Sequence, residues 1–147
     1  MKKVSLVAIL LILTMAFASV SMAADQEARR PDVYVNEKIV EFADQAPYIT
    51  DEGRTLVPAR GVFEAMECEV LWDSQSYVVT VSNQEQGKEI ILKIGDAKMT
   101  VKTGQEEKTE TLDVPAQLMN NRTMIPLRAV SEALESIVVW NPGDYSV

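Results

Sequence analysis

The chain has 147 residues, with 22 acidic and 14 basic side chains and a formal net charge of −8. An acidic protein is repelled by nucleic-acid phosphates and by anionic lipid head groups, so neither is expected as a partner. The sequence has no histidine and one cysteine, Cys68. This excludes Ser-His-Asp and Cys-His catalysis, histidine-containing metal sites and an intrachain disulfide.

Residues 1–23 have the layout of a secretory signal peptide. Lys2 and Lys3 form a short basic start, an apolar core runs from Val4 to Ala18, and small residues follow up to Ala23. This core is shorter than the roughly 20 residues that a membrane span needs, which disfavours an uncleaved anchor. We therefore expect cleavage after Ala23, with Ala24 as the alternative, and no membrane span in the mature protein.

Cleavage would leave one domain, secreted or associated with the cell envelope. The 14 basic side chains would fall to 12 against 22 acidic ones, a net charge of −10. Residues 24–31 are mostly polar and indicate a linker, whereas residues 32–147 are long enough for one domain with a substantial core. Because no disulfide is available, that core must stabilise the fold.

The domain begins with short strands and one helix. Two predicted strands, Val33–Val35 and Lys38–Phe42, flank a turn. A strand at Arg54–Val57 leads into Pro58, which suits the first turn of a helix because its missing N–H would be unbonded there. Apolar residues then recur at i, i+3, i+4 and i+7 from Ala59, which predicts a helix of about 10 residues.

The next part of the chain indicates β-structure. Four strands are predicted at Glu69–Asp73, Tyr77–Ser82, Glu89–Ile94 and Lys98–Lys102. In the second of them, Tyr77, Val79 and Val81 are expected to face the core, because alternate residues of a strand share a face. Thr103–Thr111 is polar and charged, and we expect a solvated loop or a hairpin tip there.

The last part of the chain has the same order of elements. Pro126 begins a second predicted helix, whose apolar stripe includes Val130 and Leu134. A strand is predicted at Ile137–Asn141, and Tyr145–Val147 would begin a final strand.

This similarity is an internal repeat at an offset of 68 residues. Arg54–Arg60 (RTLVPAR) corresponds to Arg122–Arg128 (RTMIPLR), and the correspondence runs without a gap from residue 47 to residue 77. Ten residues carry the pattern: Arg54, Pro58, Arg60, Glu64, Trp72, Arg122, Pro126, Arg128, Glu132 and Trp140. We infer two strand–helix–hairpin repeats, about residues 32–86 and 87–147, that share one core. The predicted fold class is α+β, with an antiparallel sheet wrapped around short helices.

The doubled pattern resembles the copper amine oxidase N-terminal-like domain family, also called the stalk domain. The resemblance rests on the two RTΦΦPxR stretches, each followed by a helix and then by Val70–Asp73 or Val138–Asn141, and it covers about residues 32–147. It implies an exported or cell-surface module, often bacterial. It also implies no catalysis, since the copper and quinone chemistry of the namesake enzymes belongs to a separate domain. No cofactor or metal is therefore expected.

The chain departs from the family pattern in two places. A Gly-Ala pair usually follows each helix, but here those positions are Glu67-Cys68 and Glu135-Ser136, so the glycine of a left-handed cap is missing. The family's last strand usually runs further than Tyr145–Val147. This predicts an open sheet edge at which a second copy of the chain could pair to form a homodimer.

The repeated arginines are interpreted as structural. Arg60 and Arg128 each stand four residues before a glutamate, Glu64 or Glu132, so each can form an ion pair along its helix or bind loop carbonyls. The alternative is a clamp for an anion or a carboxylate.

The repeated aromatic residues are interpreted as core residues. Trp72 and Trp140 are expected to pack on the helix of their own repeat, with Tyr77 and Tyr145 in the same clusters. The alternative is a pair of sugar-stacking platforms. Cys68 is interpreted as a small half-buried side chain rather than a reactive thiol, since no basic neighbour in the sequence would lower its pKa.

Together these inferences favour an exported, non-catalytic module for binding or structural support, with a protein or a cell-wall polymer as its partner. A wall-glycan-binding subunit is one alternative and would need exposed aromatic rings. A small envelope hydrolase that uses two carboxylates is the other, although linear spacing identifies no such pair. The loop spacing of a calcium site is absent from the sequence.

Overall fold

The computed structural model describes residues 30–147, so the predicted signal peptide and most of the linker lie outside the described residues. Antiparallel sheets dominate, accompanied by short helices, and the α+β class is confirmed in this broad form. Within residues 30–147, no helix has the length and the apolar character that crossing a membrane requires.

The described region of the chain contains eleven strands and two helices. The strands are β1 Tyr34–Val35, β2 Lys38–Ile39, β3 Tyr48–Ile49, β4 Thr55–Pro58, β5 Glu69–Asp73, β6 Val78–Asn83, β7 Lys88–Lys93, β8 Lys98–Thr103, β9 Glu106–Thr111, β10 Gln117–Met119 and β11 Arg122–Pro126. Helix α1, Ala59–Phe63, follows β4, and helix α2, Leu127–Ala133, follows β11. The strands form the hairpin β1–β2, a sheet in the order β10-β11-β4-β3, and a five-stranded meander from β5 to β9.

The two repeated stretches pair with each other at the centre of the four-stranded sheet. Strands β4 and β11 run antiparallel, with Val57 opposite Ile125 and Pro58 opposite Met124. Val57, Met124 and Ile125 are fully buried. Each strand passes through its proline directly into a helix, so the pairing places α1 and α2 at opposite ends of the same strand pair.

Both helices are short, and both end in the same way. Helix α1 has five residues rather than the predicted ten or so. Glu67 and Glu135, which follow the two helical turns, both have a left-handed backbone with φ of 60°. The next N–H group bonds the carbonyl five residues earlier, at 2.9 Å from Cys68 and at 2.8 Å from Ser136. These glutamates therefore occupy the cap position at which glycine is usual.

The meander supplies much of the core. Val79 and Val81 on β6, and Ile90 and Leu92 on β7, are fully buried and belong to the same cluster as residues of both helices. The predicted core face of β6 is thus correct for its valines. It is wrong for Tyr77, which is 54% exposed because it stands in the turn before β6 with φ of 57°.

The polar stretch expected as a loop or hairpin tip is largely a regular edge strand. β9 pairs with β8 along its full length, from Glu106 opposite Thr103 to Thr111 opposite Lys98. Its side chains are exposed on both faces except for partly buried Glu110. A strand without a buried face shows no alternation of apolar residues, which is why the sequence pattern indicated a loop. Charged side chains on such an edge disfavour pairing with other chains.

The strand predicted at Ile137–Asn141 does not form. Residues 137–140 belong to no strand, and Ile137 and Val139 are 91% and 68% exposed. Only Asn141 is bridged, to Ser146, through reciprocal backbone hydrogen bonds of 2.9 and 3.1 Å. A β-strand requires several consecutive residues that pair with a neighbouring strand. Among the described residues, this segment has one such pairing, between Asn141 and Ser146.

The residues at 145–147 pair with the start of the described domain. The N–H of Asp32 bonds the carbonyl of Tyr145 at 3.2 Å, and the N–H of Val147 bonds the carbonyl of Asp32 at 2.9 Å. The N–H of Tyr34 bonds the carbonyl of Val147 at 2.7 Å. This is the slanted pattern of a parallel pair. Ser146 thus has Asn141 on one side and Asp32 on the other.

Candidate functional site

A cleft of about 700 Å³ lies beside helix α2, and we call it the α2 cleft. Its wall includes residues next to β4, the chain that follows β9, and the first turns of α2. The apolar portion of the lining includes Leu112, Val114, Pro126, Leu127 and Ala129. The exposed charged rim consists of Arg54, Asp113, Arg128 and Glu132. The cleft therefore combines an apolar floor with a polar mouth, as small binding sites usually do.

The α2 cleft brings together half of the residues that carry the repeated sequence pattern. The five that line it are Arg54, Pro126, Arg128, Glu132 and Trp140. Arg54 precedes β4 in the first half of the chain, whereas the other four come from the second half. The remaining five, Pro58, Arg60, Glu64, Trp72 and Arg122, do not line the cleft.

The charges of the rim form two ion pairs. The Nη2 and Nε atoms of Arg54 lie 2.6 and 2.7 Å from Oδ2 of Asp113. Nη1 of Arg128 lies 3.6 Å from Oε1 of Glu132 and donates to the carbonyl of Val138 at 3.2 Å. Each pair is about half exposed, so it contributes little to stability. The pairs instead orient two guanidinium groups and two carboxylates around the mouth.

The arginine that corresponds to Arg54 is held in the same manner. Arg122 donates from Nε to Oδ2 of Asp44 at 3.0 Å, and its Nη2 atom contacts the same oxygen. This contact with the Arg122 side chain lowers the pKa of Asp44 and raises the pKa of Arg122. The helix ion pair predicted for both repeats is present in one of them, since Arg60 forms no ion pair with Glu64 in the described structure.

Each tryptophan contacts the predicted tyrosine. The rings of Trp72 and Tyr77 are 6.2 Å apart at 80°, and those of Trp140 and Tyr145 are 5.0 Å apart at 75°. These are edge-to-face contacts. Both tryptophans are partly buried. Trp72 packs against the main core, whereas Trp140 lines the α2 cleft.

Helix α1 has a surface that corresponds to part of the α2 cleft, and Phe42 covers it. The sequence pattern did not single out Phe42. A β-carbon built on Gly61 would lie 3.0 Å from Cε1 and 3.2 Å from Cδ1 of Phe42, so the ring sits directly on the glycine. Gly61 corresponds to Ala129, which lines the α2 cleft. Nothing in the repeat pattern marked Phe42, because it lies outside the gapless correspondence of residues 47–77.

Outside the cleft, the surroundings of three further described side chains shift their pKa values. The Ser76 hydroxyl lowers the pKa of Asp73, and a backbone hydrogen bond within Glu52 lowers the pKa of that carboxyl. Burial raises the pKa of the Cys68 thiol, which is 5% exposed. Within residues 30–147 there is no group of three or more His, Cys, Asp or Glu side chains placed to hold a metal ion.

Comparison with known proteins agrees with the pattern of the repeat. A family model described as the copper amine oxidase N-terminal domain matches residues 34–147, a range that contains all the described strands and helices. No curated protein and no solved structure matched the chain. The family resemblance inferred from the doubled pattern is thus confirmed, and it indicates a non-catalytic accessory module. The chain belongs to the copper amine oxidase N-terminal domain family.

Proposed function

We propose that this protein is an exported module that catalyses no reaction and acts at the cell envelope by binding a partner or by structural support. The partner would be a protein or a wall polymer. The observation that carries the proposal is the α2 cleft, whose rim charges are engaged in the pairs Arg54–Asp113 and Arg128–Glu132. A rim of paired charges around an apolar floor suits recognition of a ligand.

The carboxyl groups support the non-catalytic assignment. A carboxyl that serves as general acid near neutral pH needs a raised pKa. The pKa values of Asp44, Glu52 and Asp73, which lie outside the α2 cleft, are shifted in the opposite direction, and hydrogen bonds are the main cause for each. Membership in a family of accessory domains supports the same assignment.

We also propose that the domain consists of two copies of one ancestral unit. Three pairs of features support this, each separated by 68 positions. The two glutamate caps share a φ of 60°. The two N–H groups that follow them close the helices with hydrogen bonds of 2.9 and 2.8 Å. Both tryptophans contact a tyrosine five residues later in an edge-to-face geometry.

Export is tested by producing the full chain in a bacterial host and measuring the mass of the protein released from the cytoplasm. We expect a chain that begins at Ala24. A matched variant that lacks residues 1–23 should remain in the cytoplasm. Recovery of the full chain with residues 1–23 still attached, in the cytoplasm alone, would overturn the proposal of export.

Binding is tested by sedimenting isolated cell walls with residues 24–147 of the chain and measuring the fraction that co-sediments. Reducing ends released from the walls are measured in the same samples. We expect co-sedimentation or a partner protein that co-purifies with the walls, and no release of reducing ends. Release that is lost in Asp113→Asn would instead establish the hydrolase alternative.

Association with a second copy at the last strand is a further proposal. Since Ser146 already has a bonded neighbour on each side, we place such a contact at the preceding segment, where Ile137 and Val139 are exposed. Sedimentation across a wide concentration range should then show dimer formation that Val139→Lys abolishes. A monomer at every concentration would contradict it.

A further inference from the structure

We propose that the α2 cleft binds an aromatic side chain presented by an extended peptide segment of a partner protein. This inference names the ligand class for the binding role proposed above and therefore rests on that role. It is drawn from the structure of the chain itself, in which the corresponding surface of the first repeat is already occupied.

The occupied surface lies on helix α1. Phe42 belongs to a stretch without helix between β2 and β3, and its ring lies on Gly61. Two residues further along the chain, Asp44 forms an ion pair with Arg122. This short segment is thus fixed at two points. The ring of Phe42 lies on helix α1, and the carboxylate of Asp44, two residues later, binds Arg122.

The second surface has the same components but lacks the ring. Arg54, which corresponds to Arg122, holds Asp113. The residue two positions before Asp113 is Thr111, which stands one position after Glu110, the residue that the 68-residue offset pairs with Phe42. Thr111 lines the α2 cleft, and Ala129 stands where α1 has Gly61. A threonine side chain is much smaller than a phenyl ring, so the space that Phe42 fills on α1 is left open on α2.

The chemistry of the cleft suits such a side chain. Leu112 and Leu127 are 5% exposed and Val114 is 4% exposed, so the apolar lining is continuous with the core and would bury an incoming ring. The guanidinium groups of Arg54 and Arg128 can donate to peptide carbonyls, and the carboxylates can accept from peptide N–H groups. The two positive and two negative rim charges balance, so the rim itself favours neither an acidic nor a basic segment, whereas the negative net charge of the chain disfavours an acidic one.

A sugar polymer fits the same surface less well. A platform for a sugar ring needs an aromatic face open to the solvent. Trp140 is partly buried and packs against Tyr145 at 5.0 Å. Most of the apolar lining is aliphatic, which favours a side chain that enters the cleft over a ring that stacks on its rim.

The test uses two capped tripeptides and the ¹⁵N-labelled chain of residues 24–147. The probes are N-acetyl-Gly-Phe-Gly-amide and N-acetyl-Gly-Ala-Gly-amide, and binding is followed from chemical shifts of backbone and indole N–H groups. We expect saturable shifts at Thr111, Ala129 and the indole N–H of Trp140 with the phenylalanine peptide. The alanine peptide should leave these signals unchanged.

A variant that fills the cleft from within provides the decisive comparison. Thr111→Phe supplies the ring that Phe42 supplies on α1, and it should lower the affinity for the phenylalanine peptide by at least about tenfold, since ring burial is no longer available to the ligand. Thr109→Phe is the matched control because Thr109 is exposed on the same strand and does not line the cleft. It should bind like the unmodified chain. Ala129→Leu fills the cleft from helix α2, and it replaces Thr111→Phe in this comparison if that variant does not fold.

Three results would overturn the inference. One is equal shifts with both peptides, and another is shifts that lie away from the α2 cleft. The third is an affinity that neither Thr111→Phe nor Ala129→Leu reduces. Chitotriose, a trimer of N-acetylglucosamine, is tested in parallel, and shifts in the cleft with this sugar alone would reassign the site to a glycan. The peptide test uses purified protein, so a negative result would not affect the export and wall-sedimentation experiments. If those experiments gave negative results, the peptide test could still be interpreted.

Discussion

Glu67 and Glu135 share a left-handed backbone with φ of 60°, but their side chains differ in what they contact. Oε1 of Glu135 lies 2.7 Å from Nζ of Lys88, whose side chain is 12% exposed and also donates to the carbonyl of Ala133 at 3.2 Å. Glu67 forms no ion pair among the described residues. Within residues 30–147, the same backbone strain is therefore accompanied by an ion pair at one helix end and by none at the other.

Glu67→Gly should stabilise the fold by about 1 kcal/mol, because a left-handed conformation costs an L-residue about 1–2 kcal/mol and costs glycine much less. Glu135→Gly should stabilise the fold less than Glu67→Gly does, or should destabilise it, since it also removes the ion-pair partner of Lys88. Urea unfolding of both variants measures the difference. Equal gains would show that the contact with Lys88 contributes nothing, and a loss at Glu67 would contradict the assignment of strain.

The contact between Phe42 and Gly61 can be measured with a double-mutant cycle. In a helix, Gly→Ala normally stabilises by about 1 kcal/mol, but here the new β-carbon would lie 3.0 Å from Cε1 of Phe42. Gly61→Ala should therefore stabilise the Phe42→Ala variant more than it stabilises the unmodified chain. Thermal or urea unfolding of the four proteins gives the coupling. Additive effects would mean that the ring does not rest on the glycine.

The ion pair between Asp44 and Arg122 predicts a specific dependence on acid. The Arg122 side chain lowers the pKa of Asp44 below its usual value of 3.8 in the folded state. A group with a depressed pKa contributes stability that is present above the unfolded-state pKa and is lost as the pH falls through the folded-state pKa. An NMR titration of the Asp44 carboxyl carbon should show this low pKa, and Arg122→Gln should return it to the usual range. An unchanged titration in Arg122→Gln would contradict the pairing.

The thiol of Cys68 should react slowly in the folded protein. Burial raises its pKa, so a smaller fraction is thiolate at pH 8 than in an exposed cysteine, and the thiolate is the reactive form. Modification by a disulfide reagent at that pH should be slower in the folded protein than in urea by at least about an order of magnitude, since burial also limits access. Cys68→Ser, which copies Ser136, should abolish the reaction. A rate equal to that in urea would place the thiol at the surface.

The sequence predicted the elements whose pattern arises from local chemistry. The turn at Asn36–Glu37 was recognised from its polar residues, and it has positive φ at both positions as a tight hairpin requires. The start of each helix was recognised from Pro58 and Pro126, because proline restricts the backbone in a way that neighbours do not alter. The helix ends were located only through the family pattern, which usually has glycine where Glu67 and Glu135 stand, since a glutamate by itself gives no sign that its backbone is left-handed.

The remaining differences arise from tertiary contacts. Strand β9 carries no apolar alternation, yet its backbone pairs with β8. Ile137 and Val139 have strong β-propensity, but propensity does not produce a strand without a paired neighbour. The α2 cleft was equally hidden, because it combines side chains from residues near 50, 113, 128 and 140. The sequence identified five of its residues but could not show that they meet or that Phe42 closes the corresponding surface.

The parallel pairing of residues 32–34 with residues 145–147 has a mechanical consequence. A pull on the chain before Asp32 and at Val147 runs along these two segments in opposite directions. The three hydrogen bonds between them, of 3.2, 2.9 and 2.7 Å, are then loaded together in shear and must fail in one step. In an antiparallel hairpin pulled at its open end, such bonds would instead break in succession. Tension applied to the two ends of the described fold is therefore carried by this junction of its first and last segments before it reaches the sheets.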